Sequence, residues 1–166
     1  MRSLDELYRH YMQDVYRYLL FLSRDHHTAE DLTQETFTRA YLHIESLGDG
    51  EKVKRWLFRV AHNAFIDRTR RARKTDVREA EFFERLRDAE TPESLLLGKE
   101  AGEEALERLS ELPNAQRQAF LLYHHYEFSY ADAAEIMGIG LSLYKSTLFR
   151  ARQKLRAYTE RRMRRD

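Results

Sequence analysis

The chain contains no cysteine. That absence removes a disulfide framework, a thiol nucleophile and every thiolate metal site, and it is in keeping with a reducing cytoplasm. Proline occurs twice and glycine six times in 166 residues. Strand-rich domains need more of both at their turns, so long uninterrupted helices are the expected content. Long apolar runs are missing as well. None approaches the roughly 20 residues that cross a bilayer. Arg2, Asp5, Glu6 and Arg9 interrupt the first residues, so no signal peptide is expected there. No Walker loop or dinucleotide-binding glycine pattern occurs. His26-His27 and His124-His125 are poor metal clamps, because adjacent residues point to different helix faces. His62, Asn63 and Asp67 share a helix side, but no nucleophile or metal set accompanies them. The expectation is a protein without catalytic activity, cofactor, metal or small-molecule substrate.

What is present is segregated charge. The net charge of +1 hides it. From Lys145 onward the chain carries Lys145, Arg150, Arg152, Lys154, Arg156, Arg161, Arg162, Arg164 and Arg165 against only Glu160 and Asp166. A second basic cluster is Arg68, Arg70, Arg71, Arg73 and Lys74, and Asp76 to Glu111 between them is rich in acid. Two basic regions flanking an acidic stretch suggest two nucleic-acid contacts on one chain. A hydrophobic content of 42% suits small cores better than one large one.

The most informative stretch is Ser129 to Leu155, which reads as two helices joined by a tight turn. Ser129 can cap the first, with Asp132 three residues on. Ala133, Ile136 and Met137 share a face, and Gly138 can take the left-handed conformation that ends a helix. Ile139 can pack in the corner and Ser142 can cap a second helix. That helix would bury Leu148, Ala151 and Leu155 and expose Lys145, Ser146, Arg150, Gln153 and Lys154. The pattern is a helix-turn-helix whose second helix has a basic outer face. Lys145, Ser146 and Thr147 would reach base edges in a major groove, with Arg150, Arg152, Lys154 and Arg156 meeting phosphates. A helical hairpin with a solvated basic face has the same pattern.

In the first half, Leu4, Leu7, Tyr8, Tyr11, Val15, Tyr18, Leu19 and Leu22 follow helical spacing. Asp25-His26-His27 reads as a break, and Thr28 can cap a second helix with Asp31 completing a box. Ala29, Leu32, Thr33, Phe37, Ala40, Tyr41 and Ile44 form its buried stripe, opposite Asp31, Gln34, Glu35 and Thr38. Such an acidic-amide face is either solvated or docked on a basic partner. Residues 46–50 are a loop by composition. A third helix runs from about Glu51 to Lys74, with Val53, Trp56, Leu57, Val60, Ala61, Ala64 and Phe65 inward and Arg55, Arg59, His62, Asn63, Asp67 and Arg70 outward. Basic groups, an amide and nearby aromatics can hold single-stranded nucleic acid.

Thr75 to about Pro92 lacks a clean period and reads as a linker between a domain at 1–74 and one at 93–166. Thr91-Pro92-Glu93 starts a helix, with Leu95, Leu96, Ala101, Ala105, Leu106 and Leu109 as its apolar side. Pro113 and Asn114 break it, and Ala115 to Tyr126 forms the next helix, with Ala119, Leu122, Tyr123 and Tyr126 as core. Arg161 to Asp166 is expected to be a frayed basic tail.

In this order, three segments resemble the extracytoplasmic-function (ECF, group IV) sigma factors of the sigma-70 family, over nearly the whole chain. Ala29–Tyr41 (AEDLTQETFTRAY) resembles the region 2 segment that docks on the clamp helices of RNA polymerase. Lys52–Arg71 resembles the promoter-melting and −10-recognition segments. Leu112–Ile139, followed by KSTLFRARQKL, resembles region 4. The first half is most like the sigma-M type of Bacillus relatives, which serves cell-envelope stress. The resemblance implies an all-α protein of two small helical domains on a flexible linker. It implies an alternative sigma factor, cytoplasmic, that binds the clamp helices and flap of core RNA polymerase. Promoter DNA would be the second partner, as −35 duplex and −10 single strand. An anti-sigma factor, often membrane-bound, would hold it inactive.

Residue by residue, Asp31, Gln34, Glu35 and Thr38 would bind polymerase. Lys52, Arg55, Trp56, Arg59, Asn63, Asp67, Arg70 and Arg71 would face the −10 element, and the loop around Gly48–Lys52 would hold a flipped base. Ser142, Lys145, Ser146, Phe149, Arg150 and Lys154 would face the −35 element. The acidic linker would thread toward the active-site and RNA-exit region. One departure stands out. Ser142-Leu143-Tyr144 replaces the family's common Gly-Thr-Val, and Thr147 stands where arginine is frequent. Fewer direct arginine contacts and some reliance on DNA shape are therefore expected. Two other functions stay open on the sequence: a stand-alone helix-turn-helix regulator, and a protein-interaction module that uses the acidic-amide face alone.

Overall fold

A computed structural model of the chain describes residues 3–48, 50–73 and 108–165. The chain divides into two compact units, Met1–Leu96 and Leu97–Asp166. Among the described residues every regular element is helical. The proposed linker at 75–92 and most of the helix expected from residue 91, with Leu95, Leu96, Ala101, Ala105 and Leu106, lie outside the described residues. The end of that helix survives as a turn at 108–110, where Leu109 and Leu112 are buried.

The first unit packs three helices against one another: α1 (Leu4–Ser23), α2 (His26–Leu42) and α3 (Glu51–Arg73). Ser3 caps α1, its hydroxyl accepting from the Glu6 amide at 3.3 Å. Every residue from Tyr18 to Ser23 is buried, so the last turn of α1 is the centre of the bundle rather than an amphipathic edge. Arg24 then takes a left-handed conformation (φ 55°) and donates its amide to Leu20, which ends the helix without a glycine. Asp25, not Thr28, caps α2. Its carboxylate accepts from the His27 amide and, at 2.6 Å, from the Thr28 hydroxyl. A carboxylate with two acceptor oxygens serves both donors at once, and Thr28 is left buried inside the first turn. Burial works to raise the Asp25 carboxyl, but these hydrogen bonds and nearby His27 hold it below its ordinary value. The box expected between Thr28 and Asp31 does not form.

Ala29, Leu32, Thr33, Phe37 and Ala40 are buried as expected. Thr33 and Thr36 enter the core because their hydroxyls donate back to the Ala29 and Leu32 carbonyls at 2.6 and 2.7 Å. Tyr41 is exposed because it lies about 100° round α2 from buried Ala40, off the packed face, and Ile44 is half-buried beyond the end of α2 at Leu42. On α3, Val53, Leu57, Ala61, Ala64 and Phe65 are buried, while Trp56 and Val60 are only half-buried and Phe58 takes a core position.

His62 is the main correction in this unit. It does not share the outer side of α3 but lies buried, its Nδ1 3.0 Å from the Tyr18 hydroxyl. Two polar groups 44 residues apart satisfy each other in the core. Burial pushes the imidazole down to about 4. The folded ring therefore binds its proton less readily than the unfolded one, whose ordinary value is 6.5. Stability is full above pH 6.5 and falls as pH drops toward 4.

The second unit holds the turn at 108–110, α4 (Asn114–His124), α5 (Tyr130–Met137) and α6 (Leu141–Arg165). Buried Arg117 on α4 donates to the Ser110 and Leu112 carbonyls at 3.3 and 3.2 Å, closing the preceding turn. Ala119, Leu122 and Tyr126 are buried, and Tyr123 is half-buried. Ser129 caps α5, accepting from the Asp132 amide at 3.1 Å. Gly138 is left-handed (φ 68°) with nothing within 4 Å of an added Cβ, so a side chain there would cost only the backbone strain of about 1 kcal/mol. Ser142 does not cap α6. The helix already begins at Leu141, with the Tyr144 amide bonded to the Gly140 carbonyl. At its far end α6 continues to Arg165, so residues 161–165 are helical rather than frayed.

Trp56 is the only tryptophan and lies in the first unit, so its fluorescence reports that unit alone. In urea titrations we expect wild type to lose about 2 kcal/mol between pH 7.5 and 5 through His62. The His62→Gln variant is expected to be less stable at pH 7 and to lack most of that pH-dependent loss. Parallel pH curves for the two proteins would show that His62 does not titrate this way.

Candidate nucleic-acid interface

Three surfaces carry the residues singled out in the sequence. On α2, Asp31, Gln34 and Thr38 are exposed and Glu35 is partly exposed, all on the side opposite the buried stripe. Glu35 accepts from Arg39 at 2.9 Å, an i,i+4 pair at the surface. Such a pair contributes about 0.5 kcal/mol or less, so a docking partner displaces it at little cost. Asp31 accepts from Arg68 of α3 at 3.5 Å, with His27 3.8 Å away. The Thr38 hydroxyl donates to its own helix at Gln34.

On α3, Lys52, Arg59, Asn63, Asp67, Arg70 and Arg71 are exposed, and Arg55 and Trp56 are partly exposed. Their spacing runs mostly at i+3 and i+4, so they form one cationic stripe interrupted by a single carboxylate. Trp56 borders it, with the His43 ring 5.9 Å from its own. Arg68 is not part of this stripe. Its partner lies 37 residues away, on α2.

On α6, Ser142, Lys145, Ser146, Phe149, Arg150 and Lys154 are all exposed, along with Gln153. The face behind them is fixed by two inward side chains. Tyr144 is fully buried and donates its hydroxyl to the Ala119 carbonyl of α4 at 2.7 Å. Burial pushes that phenol up, so it stays a donor. Arg152 lies against α4 and α5. Its Nε donates to His124 Nε2 at 3.2 Å, its Nη2 to the Tyr130 hydroxyl at 3.5 Å, and its guanidinium carbon is 5.4 Å from the centre of the Tyr123 ring. Burial and the neighbouring Arg152 charge push the His124 imidazole down, which keeps Nε2 free to accept. The arginine's hydrogen bond is the chief cause that lowers the Tyr130 phenol. The sequence assigned Arg152 to phosphates. In the fold it is half-buried and turned inward, because an arginine two residues from Arg150 lies on a different side of the helix.

Sequence reasoning missed Tyr144, Arg152 and Arg68 as structural ties. Tyr144 carried a weak signal, since it precedes Leu148 and Ala151 at helical spacing. The partners of Arg152 and Arg68 lie too far along the chain to be read from local pattern. Among the described residues no helix is long and apolar enough to cross a membrane, and no group of acidic, histidine or cysteine side chains could hold a metal ion.

A helix-turn-helix with a cationic outer face, on a chain whose other unit carries a second cationic stripe, defines the class as a helical protein of the helix-turn-helix DNA-binding kind. Residues 7–75 match Sigma-70 region 2 and residues 102–155 match Sigma-70, region 4. The chain is 45% identical over 159 residues to the ECF RNA polymerase sigma factor SigM of Bacillus subtilis (strain 168), covering 93% of this chain and 94% of that one. It is 34% identical to the RNA polymerase sigma factor YlaC of the same organism, over 93% and 90% of the two chains. Among solved structures it resembles the sigma factor RpoE of Bartonella quintana in complex with the anti-sigma factor NepR. That likeness has a TM-score of 0.73 and 26% identity, over 94% of this chain and 96% of that one. The chain belongs to the extracytoplasmic-function sigma factors of RNA polymerase.

The inward role of Arg152 separates it from its neighbour. Arg152→Lys should speed amide exchange across α4–α6 roughly fivefold, equivalent to about 1 kcal/mol, because lysine cannot reproduce the planar fork. Arg150→Lys, at an exposed position, should change it by less than about twofold. Hydrogen exchange read by mass spectrometry would decide, and equal effects would remove Arg152 from this role.

Proposed function

We propose that the chain is an alternative sigma factor that binds core RNA polymerase and directs it to a defined set of promoters. The observation that carries this reading is the opposite chemistry of its surfaces within one family framework. An acidic-amide face on α2 suits a basic protein partner, while cationic faces on α3 and α6 suit nucleic acid. Asp31, Gln34, Glu35 and Thr38 dock on the polymerase clamp helices, and the second unit meets the flap. Lys52, Arg55, Trp56, Arg59, Asn63, Asp67, Arg70 and Arg71 meet the melted −10 element, phosphates on the cations and an unstacked base beside Trp56. Ser142, Lys145, Ser146, Phe149, Arg150 and Lys154 meet the −35 duplex in its major groove. The domain assignment is 1–74 for region 2, 75–92 for the linker and 93–166 for region 4.

The chain acts as an initiation factor without chemistry of its own and works in the cytoplasm. An anti-sigma factor, membrane-bound, covers these surfaces until an envelope stress releases it. The likeness to a sigma factor crystallised with its anti-sigma factor supports the inhibitor, and the 45% identity to SigM supports the kind of regulon.

Charge reversal on α2 tests the reading. Purified chain should capture bacterial core RNA polymerase, and Glu35→Lys should weaken capture at least about tenfold, since it meets a basic partner with like charge. Wild-type protein that is folded and inhibitor-free but captures no polymerase would instead favour a stand-alone duplex-binding regulator.

A further inference from the structure

The described residues contain seven exposed large apolar side chains, and three of them, Leu141, Leu143 and Phe149, fall within nine residues at the start of α6. They are 42%, 55% and 59% exposed, on the helix that also presents Lys145 and Arg150. Scattered apolar groups are normal on a surface, but three within nine residues of a cationic helix ask for a partner that is both acidic and locally apolar. The major groove of DNA is such a partner. Its phosphates meet the cations, and the C5-methyl of thymine is the one apolar group on its base edges.

The polar side chains around this cluster are partly committed elsewhere. The Thr147 hydroxyl donates to the Leu143 carbonyl at 2.8 Å, and the Ser146 hydroxyl to the Ser142 carbonyl at 3.1 Å. Their donor hydrogens serve the helix itself, which leaves lone pairs for a base edge. Lys145 and Arg150 remain as outward donors beside the cluster, with Gln153 and Lys154 further along the helix. Arg152 does not add to them, because it binds His124 and Tyr130. Hydrogen-bond readout from the first turns of this helix is therefore sparse, and its exposed leucine and phenylalanine have no place in the core to explain them.

We propose that Leu143 is a specificity-determining residue that contacts a thymine methyl group in the −35 duplex, with Phe149 contacting a second methyl. This rests on the sigma reading above and goes beyond it by naming a base-edge chemistry and a residue outside the −35 set given there. Six residues separate the two side chains, about 9 Å along the helix axis. They also lie on opposite margins of the exposed face, with Ser146 between them. That geometry suits thymines two or three base pairs apart rather than neighbouring ones. Leu143 shares its margin with Arg150 and Lys154, so phosphate contacts there hold the leucine at the base edge.

The test uses the full chain bound to core RNA polymerase and duplexes that this complex selects from a library randomised across the −35 region. Each thymine in a selected duplex is replaced in turn by deoxyuridine, which removes only the methyl. Wild type should bind about fourfold more weakly at one Leu143-dependent position. Leu143→Ala should bind the thymine duplex about fourfold more weakly and show no further penalty for deoxyuridine there. A Leu143→Ala protein that keeps the full deoxyuridine penalty, or a wild type that shows none at any position, overturns the proposal. Lys154→Ala separates the general electrostatic contact, because it should weaken all duplexes alike and flatten the salt dependence. A complex that forms but selects no duplex, or no complex at all, defeats the sigma reading itself and the inference with it. Unchanged far-UV circular dichroism melting of Leu143→Ala excludes a folding defect, as its half-exposed position implies.

Discussion

The hydroxyl of Tyr144 is buried, and a buried hydroxyl without a partner costs roughly 1–3 kcal/mol. In this protein it reaches the Ala119 carbonyl, 25 residues earlier, at 2.7 Å. That bond permits only one rotation of α6 about its axis. A shift of one residue would turn the phenol toward solvent and drive Lys145 into the core. Arg152, eight residues further along α6, adds a second tie to α4 and α5. The outward face of α6 is thus what remains once these two inward groups are satisfied. Its polar, cationic and apolar members all depend on that orientation for any contact with DNA.

The first unit uses the same device with different chemistry. Tyr18 and His62 satisfy each other inside a largely apolar core, and their pairing fixes α3 against α1. With His62 turned inward, the stripe from Lys52 to Arg70 must turn outward. The threonines of α2 solve a similar problem locally, by donating to carbonyls of their own helix, so that α2 can bury polar residues on one side and keep Asp31, Gln34 and Glu35 on the other. Acidic and basic surfaces are thereby held on different helices of one small bundle. The Arg68–Asp31 contact ties α3 to the acidic side of α2, and its exposure makes it weak.

Much of this was legible in the sequence. Helical spacing located α1, α2, α3 and the helix-turn-helix, since long amphipathic patterns are the most dependable local signal. Ser129 and Gly138 act as expected because their roles need only neighbours within four residues. Cap assignments failed where two local solutions competed. Thr28 was a plausible cap, but Asp25 offers two acceptor oxygens three residues earlier and takes the hydroxyl of Thr28 as well. Ser142 was displaced because α6 starts one residue earlier, at Leu141. Tyr41 failed for another reason, since it lies off the narrow packed face of α2 that Ala29, Leu32, Thr33, Thr36 and Ala40 define.

By itself the sequence determined the helical class, the segregation of charge, the helix-turn-helix and the family. All of these depend on residue type and on spacing within a few turns. Tertiary structure decided which polar residues turn inward. His62 and Arg152 read as surface groups because their partners, Tyr18 in one case and His124 and Tyr130 in the other, lie 22 to 44 residues away. Local periodicity assigns a polar side chain to solvent by default. Only the packed fold can supply a distant partner that makes its burial cheaper than its exposure.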